Sequence, residues 1–429
     1  MDRALGALLL LCAGPLLAQP VLPHFSRDRS LGVASCASSL CHGSVEPWQN
    51  ARVLQNEYVT WSRTDRHARA YATLLTERSA EIARKLGLKE PAHRADVCLD
   101  CHAHNPASER RARGFDQTDG IGCEACHGPA GRWIRSHVEP GATHKGNLAR
   151  GLYPTDEALP RARLCVSCHV GNPQKLVTHR MMAAGHPRLS FEMDTFSHLQ
   201  PQHYVRKSDD GAHLWAIGQV LAAEEQLSIL LDAKRGRDGL FPELVLFDCH
   251  ACHHAMSQKR AAGARLGVAP GAVRLNDASL LMVRHIARRV TPARAEALAG
   301  DISQLHAAIA GGEDPLAQVR RVRQSLQELT QATTAYRFSA ADLRAVLLAL
   351  IDDGLAGQYS DYQGAEQATM ALQTLADLMS RRGLLRAEAV RPAMGRLLAA
   401  LADDENYHPA AFTEGLRALR AGVGEEKVR

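Results

Sequence analysis

The chain has 429 residues, 45% of them apolar and 23% charged, with a formal charge of +5 and only 5% aromatic residues. That length holds two or three domains with ample core, and the balance of apolar and charged residues excludes a disordered, collagenous or polytopic membrane chain. Eleven cysteines and 21 histidines are the compositional features that the reading must explain.

In chain order the first element is a leader. Residues 1–18 start with Arg3, run apolar from Ala4 to Leu17 and reach Ala18 before Gln19 and Pro20. This is the pattern of a secretory signal peptide. Leu16, three before that cut, is larger than such sites prefer, which leaves the cleavage position open. An uncleaved anchor is the alternative, although the run is short for a span. Cys12 follows Leu11, which is too bulky for the usual lipoprotein cut. No later segment holds 18 consecutive apolar residues, so the expectation is a soluble, exported protein, periplasmic or otherwise outside the cytoplasm.

Residues 19–265 form the second unit, rich in Gly, Pro and His, with few long periodic runs, among them 61–86 and 215–231, which read as helices. All ten remaining cysteines fall here in five couples: Cys36 and Cys41, Cys98 and Cys101, Cys123 and Cys126, Cys165 and Cys168, Cys249 and Cys252. Each couple is followed directly by a histidine: His42, His102, His127, His169 and His253. Four couples read C-x-x-C-H, the signature of c-type haem attachment, and the first is the same motif with two extra residues. The spacing has a chemical reason. Two thiols add to the two vinyl groups on one porphyrin edge, and the adjacent imidazole becomes the proximal iron ligand. Disulfides and zinc sites also use paired cysteines in exported proteins, but neither requires histidine at one offset in five cases of five. The expected cofactors are therefore five covalently bound haem c groups. Eighteen of the 21 histidines lie between His24 and His254, a surplus that suits irons closed by a second imidazole. All four tryptophans lie there too, available to pack on porphyrin faces. A ferric haem with both propionates ionised carries about −1, so five cancel the net charge of the chain, and nucleic-acid binding receives no support. Of the 51 basic residues 43 are arginine, whose forked guanidinium suits propionates. The proximal histidines follow one another at 60, 25, 42 and 84 residues. Such short connections cannot build an ordinary core, which makes the haems the expected interior.

Residues 270–429 change character. Thr291-Pro292 and Asp314-Pro315 are helix starts, and Ser339 with Asp342 forms a capping-box pattern. Leu343, Val346, Leu347, Leu350 and Ile351 trace one helical face, as do Leu298, Ile302, Leu305 and Ile309. Further helices are expected at 361–382, 387–403 and 409–421. The fold class is thus mainly α: a multihaem cytochrome c wrapper with few strands, followed by an antiparallel helical bundle without cysteine.

The first 265 residues resemble the multihaem cytochromes of the cytochrome c-554 and hydroxylamine oxidoreductase group. The likeness rests on Trp61-Ser62, His67-Ala68 and Ala70, on the stretch GIGCEACHGPAG at 120–131, and on Gly185-His186-Pro187. It implies that His67 is a distal ligand, paired with the haem at Cys123 and Cys126. It also implies His137 opposite the haem at Cys36 and Cys41, with His144 as competitor. His186 is the next distal candidate, for the fourth or fifth haem, and His179, His203, His213 and His254 compete for the rest. Met181, Met182, Met193 or Met256 could replace one imidazole and raise that potential.

These features imply an electron carrier working between a redox donor and an acceptor protein, soluble or part of a membrane respiratory complex. An alternative is an oxidoreductase with one open iron, for which the resemblance suggests a small nitrogen compound. No C-x-x-C-K motif occurs, so a lysine-ligated haem is not supported. A third reading is a subunit docked by its C-terminal bundle. Donor, acceptor and oligomeric state are not encoded in the motifs.

Overall fold

Glycine, proline and histidine break the first half of the chain into short pieces. A computed structural model describes residues 20–51, 53–205, 211–239, 241–253 and 274–424. The expected leader with Cys12, and the candidates His254 and Met256, lie outside the described residues. The first helices are α1 (Glu57–Thr64), α2 (Ala70–Thr73), α3 (Glu77–Leu86), α4 (Asp96–His102), α5 (Cys123–His127), α6 (His144–Ala149), α7 (Ala158–His169), α8 (His179–Ala183) and α9 (Met193–Leu199), joined by 3-10 turns and irregular chain.

The stretch 61–86, expected as a helix, is instead interrupted twice. Asp65 leaves the helical region at ψ 129° and its carboxylate accepts the amide of His67; Thr76, at ψ 155°, accepts the amide of Ser79. Asp and Thr side chains offer the backbone local partners that compete with a continuous helix, which an apolar pattern alone does not reveal.

The long helix α10 (Gly211–Leu231) behaves differently, with 17 of its 21 residues buried. A helix that is apolar all round belongs inside a core. It packs on α7 and α9 on one side and on the C-terminal helices on the other. Those helices are α11 (Ala278–Val290), α12 (Pro292–Gly311), α13 (Leu316–Ala335), α14 (Ala340–Leu355), α15 (Tyr362–Arg381), α16 (Ala387–Ala400) and α17 (Pro409–Gly424). Pro292 opens α12, and Ser339 and Asp342 form the expected capping box on α14. Leu343, Val346, Leu347, Leu350 and Ile351 are all buried.

One large cluster joins Leu176, Trp215, Val220 and Leu246 with Leu305, Leu347 and Leu375. The boundary expected near 265–270 therefore crosses a shared core, because α10 supplies the apolar surface that the later helices need. Two smaller clusters, around Val166, Phe191 and Ile217 and around Leu74 and Leu99, are all that the first half adds among the described residues. The fold is mainly α, with β1 (Arg237–Asp238) and β2 (Phe241–Pro242) pairing antiparallel as the one sheet among the described residues. No described helix is long and apolar enough to cross a membrane.

Candidate metal centres

The second, third and fourth attachment motifs share one local design. Cys98 and Cys101 lie on α4, Cys123 and Cys126 on α5, and Cys165 and Cys168 on α7, and each helix ends on the motif histidine, His102, His127 or His169. Residues three apart share a helix face, so both thiols point to one side. The chain then turns sharply, extended at Ala103 and with positive φ at Gly128. A side chain at Gly128 would meet the Gly151 carbonyl at 2.6 Å.

The first motif has no helix. Its wider loop is closed by backbone hydrogen bonds from Cys41 to Ser38 (2.8 Å) and from His42 to Cys36 (3.2 Å), which bring the two cysteines and the histidine together. Gly43 is required there, since a Cβ would stand 2.0 Å from the Ala37 carbonyl. In the fifth motif Cys249 opens a 3-10 turn capped by Asp248, and Cys252 and His253 follow it, exposed.

Four motif histidines each face a second histidine from a distant part of the chain. The ring centroids are 6.4 Å apart for His42 and His137, 6.4 Å for His102 and His186, 6.0 Å for His169 and His67, and 6.1 Å for His253 and His179. His127 has His203 close enough to lower its basicity. Two imidazoles bound to opposite faces of one metal ion have centroids about 6 Å apart, taking about 2.0 Å for each metal–nitrogen bond. The four measured spacings fit that requirement.

The free ring nitrogen is also the right one. Nδ1 donates to Glu57 in His42 (2.9 Å), to Asp65 in His67 (2.9 Å), to the Ala70 carbonyl in His102 (3.1 Å), to Pro187 in His186 (2.8 Å) and to Ile134 in His137. Fixing Nδ1 selects the tautomer whose Nε2 lone pair is free and orients the ring, as outer-shell partners of metal-bound histidine do. Histidines elsewhere spend Nε2 on the protein: His104 on Ser30 (2.8 Å), His213 on the Thr333 carbonyl (3.0 Å), and His144 near Asp156 (3.2 Å). Burial pushes His127 and His169 down to about 4, which keeps them neutral and able to bind a metal at neutral pH.

Thiols of different motifs also meet. Cys36 lies close to Cys123, and Cys101 to Cys168. The first and third motifs are therefore neighbours, as are the second and fourth.

Two pairings differ from those implied by the resemblance. His67 was expected opposite the third motif, but its ring lies against His169 of the fourth. Its backbone does touch the third motif's approach, accepting a hydrogen bond from Ile121 at 3.0 Å, while Asp65 turns the imidazole toward α7. His186 was expected at the fourth or fifth haem and instead faces His102 of the second. His213 and His144 are engaged as described above, and Met193 is buried in the Phe191 cluster. Met181 is also buried, in α8, and Met182 lines a cleft next to that helix. His179, one of several competitors in the sequence, belongs to a facing pair, and His203, another, lies near His127. Nothing local distinguishes them except the Thr178 cap that starts a short helix at His179.

Among the described residues, no group of three or more His, Cys, Asp and Glu side chains converges in a way that could hold a metal ion. The donors come instead as thiol couples and opposed imidazoles, a set that fits covalently bound haem, with thiols for the porphyrin edge and one nitrogen for each iron face. No curated protein and no solved structure matches the chain. A family model described as cytochrome c554 and c-prime matches residues 35–128. The matched span holds the first three attachment motifs and His67, and over that span the chain is similar to the c-type cytochromes of that family.

Proposed function

We propose that the chain is an exported pentahaem c-type cytochrome that carries electrons between a redox donor and an acceptor, soluble or part of a membrane complex. A bound haem c supplies reversible exchange of one electron between Fe(III) and Fe(II). The chain's residues attach it, close both iron faces and set its surroundings. The observation that carries this reading is the opposition of two imidazoles at 6.0–6.4 Å in four separate places, each joining an attachment motif to a distant histidine. Export is supported by the leader pattern of residues 1–18.

An oxidoreductase acting on a small molecule needs an iron with a free position. Here each motif histidine has a second histidine near it, which favours the carrier over the enzyme. Absorption spectra of the dithionite-reduced protein with and without carbon monoxide test this. All five haems should stay low-spin and unmoved by the gas, whereas a shift of about one fifth of the Soret intensity would make one site open and the carrier reading wrong.

A further inference from the structure

The turn that follows α7 returns the chain to the fourth attachment motif. Gly171 makes this possible: its φ is 104°, and a Cβ there would stand 2.8 Å from the Lys175 carbonyl. Asn172 closes the turn. Its side-chain oxygen accepts the amides of Gln174 and Lys175, both at 2.9 Å, and its own amide donates to the Lys175 carbonyl at 2.8 Å. Lys175 is thereby fixed inside the protein, only 9% exposed.

A buried ammonium needs an anion. Among the described residues the Lys175 Nζ has one hydrogen-bond partner, the Cys168 sulfur at 3.4 Å. That sulfur can answer the charge while it is a thiol able to ionise. Bonded to a porphyrin vinyl group it becomes a neutral thioether, so haem attachment leaves the ammonium without a counter-charge. Glu124, the buried carboxylate of the third motif, does not supply one, since its oxygens accept the amides of Leu31, Gly32 and Ala130. Two imidazoles, of His24 and His104, lie close enough to feel the Lys175 charge. His104 spends its Nε2 on Ser30, whereas the Nε2 of His24 is buried with no partner. Burial and the Lys175 charge take His24 down to about 3, so its ring is neutral at neutral pH and can donate from Nε2.

We propose that Lys175 and His24 form an interior carboxylate site, and that a haem propionate fills it in the mature protein. The proposal rests on the five-haem reading above and goes beyond it, because it accounts for a cation and a donor that attachment and axial ligation leave unanswered. A haem c is held by its vinyl edge and carries its propionates on the opposite edge, so the carboxylate does not belong to the haem that Cys168 holds. It comes from the haem of another motif. Lys175 then stands between two haems, paired with the carboxylate of one and beside the thioether of the other.

Infrared difference spectroscopy of the full-length holoprotein, isotope-labelled in the propionate carboxyl carbons, tests this. Haem is counted first, after denaturation: fewer than five per chain would overturn the five-haem reading. With five present, the difference between Lys175→Met and wild type should contain a shifted carboxylate stretch of one propionate, identified because it moves with the label. A shifted carboxylate band that ignores the label would make the occupant an amino-acid side chain or a solute, and no shifted carboxylate band would leave the ammonium without one. Either result overturns the propionate site and leaves the haem count standing. If Lys175→Met does not mature, His24→Phe decides in its place: it removes only the second donor and should shift the same labelled band, and an unmoved band would overturn the site.

Discussion

Produced in cells that cannot attach haem covalently, the chain should lose the structure of its first half and keep that of its second. Roughly two-thirds of the helical residues lie in α10–α17, and nearly all of the large buried cluster is contributed by that region. The segment before α10 has only two small apolar clusters to set against the entropy of ordering nearly 200 residues, at about 1–2 kcal/mol each. Its remaining interior faces include the thiols and imidazoles proposed to hold haem. Limited proteolysis of the haem-free protein should therefore leave a fragment beginning near Gly211, with about two-thirds of the holoprotein's helical circular dichroism. A protease-resistant haem-free chain of full length would show that the first half has a core of its own. The reverse truncation is not informative. Removing residues 270–429 uncovers α10, whose Trp215, Ile217 and Val220 are fully buried, so it should damage folding whether or not the bundle docks to a partner.

His67→Ala should turn one iron in five high-spin, and that iron should belong to the fourth motif. The ring of His67 lies 6.0 Å from His169, with Nδ1 held by Asp65. Double variants separate this from a pairing with the third motif. His67→Ala with His169→Ala removes both ligands of one iron, so one haem per chain should be disturbed. His67→Ala with His127→Ala should disturb two. Haem by haem, the count comes from the loss of low-spin intensity in electron paramagnetic resonance of the ferric protein. Equal losses, or the reverse order, would reassign His67.

The five motifs are legible in the sequence because the chemistry proposed for them is local: a cysteine couple and the histidine beside it must lie within a few residues to reach one porphyrin edge and one iron. The bundle was legible for a similar reason, since caps such as Ser339 with Asp342 and stripes such as Leu343 to Ile351 act within a turn or two. Distal ligands have no such constraint. His137, His67, His186 and His179, the candidates that face a motif histidine, come from connections far from those motifs, and tertiary packing alone brings them there. His67 shows the difficulty well: its backbone lies beside the third motif while its ring, turned by Asp65, faces the fourth. The role of α10 was hidden as well. A helix buried on all sides carries no amphipathic stripe to say which unit owns it, and its contacts join both.

The central claim is that five thiol couples each hold a haem whose iron is closed by two imidazoles. Near-infrared magnetic circular dichroism of the ferric holoprotein, scaled to haem and protein concentration, measures it most directly. The account predicts five haems per chain, all low-spin with two nitrogen ligands. A preparation with fewer haems, or with one iron per chain carrying the high-spin or sulfur-ligated signature, would contradict it.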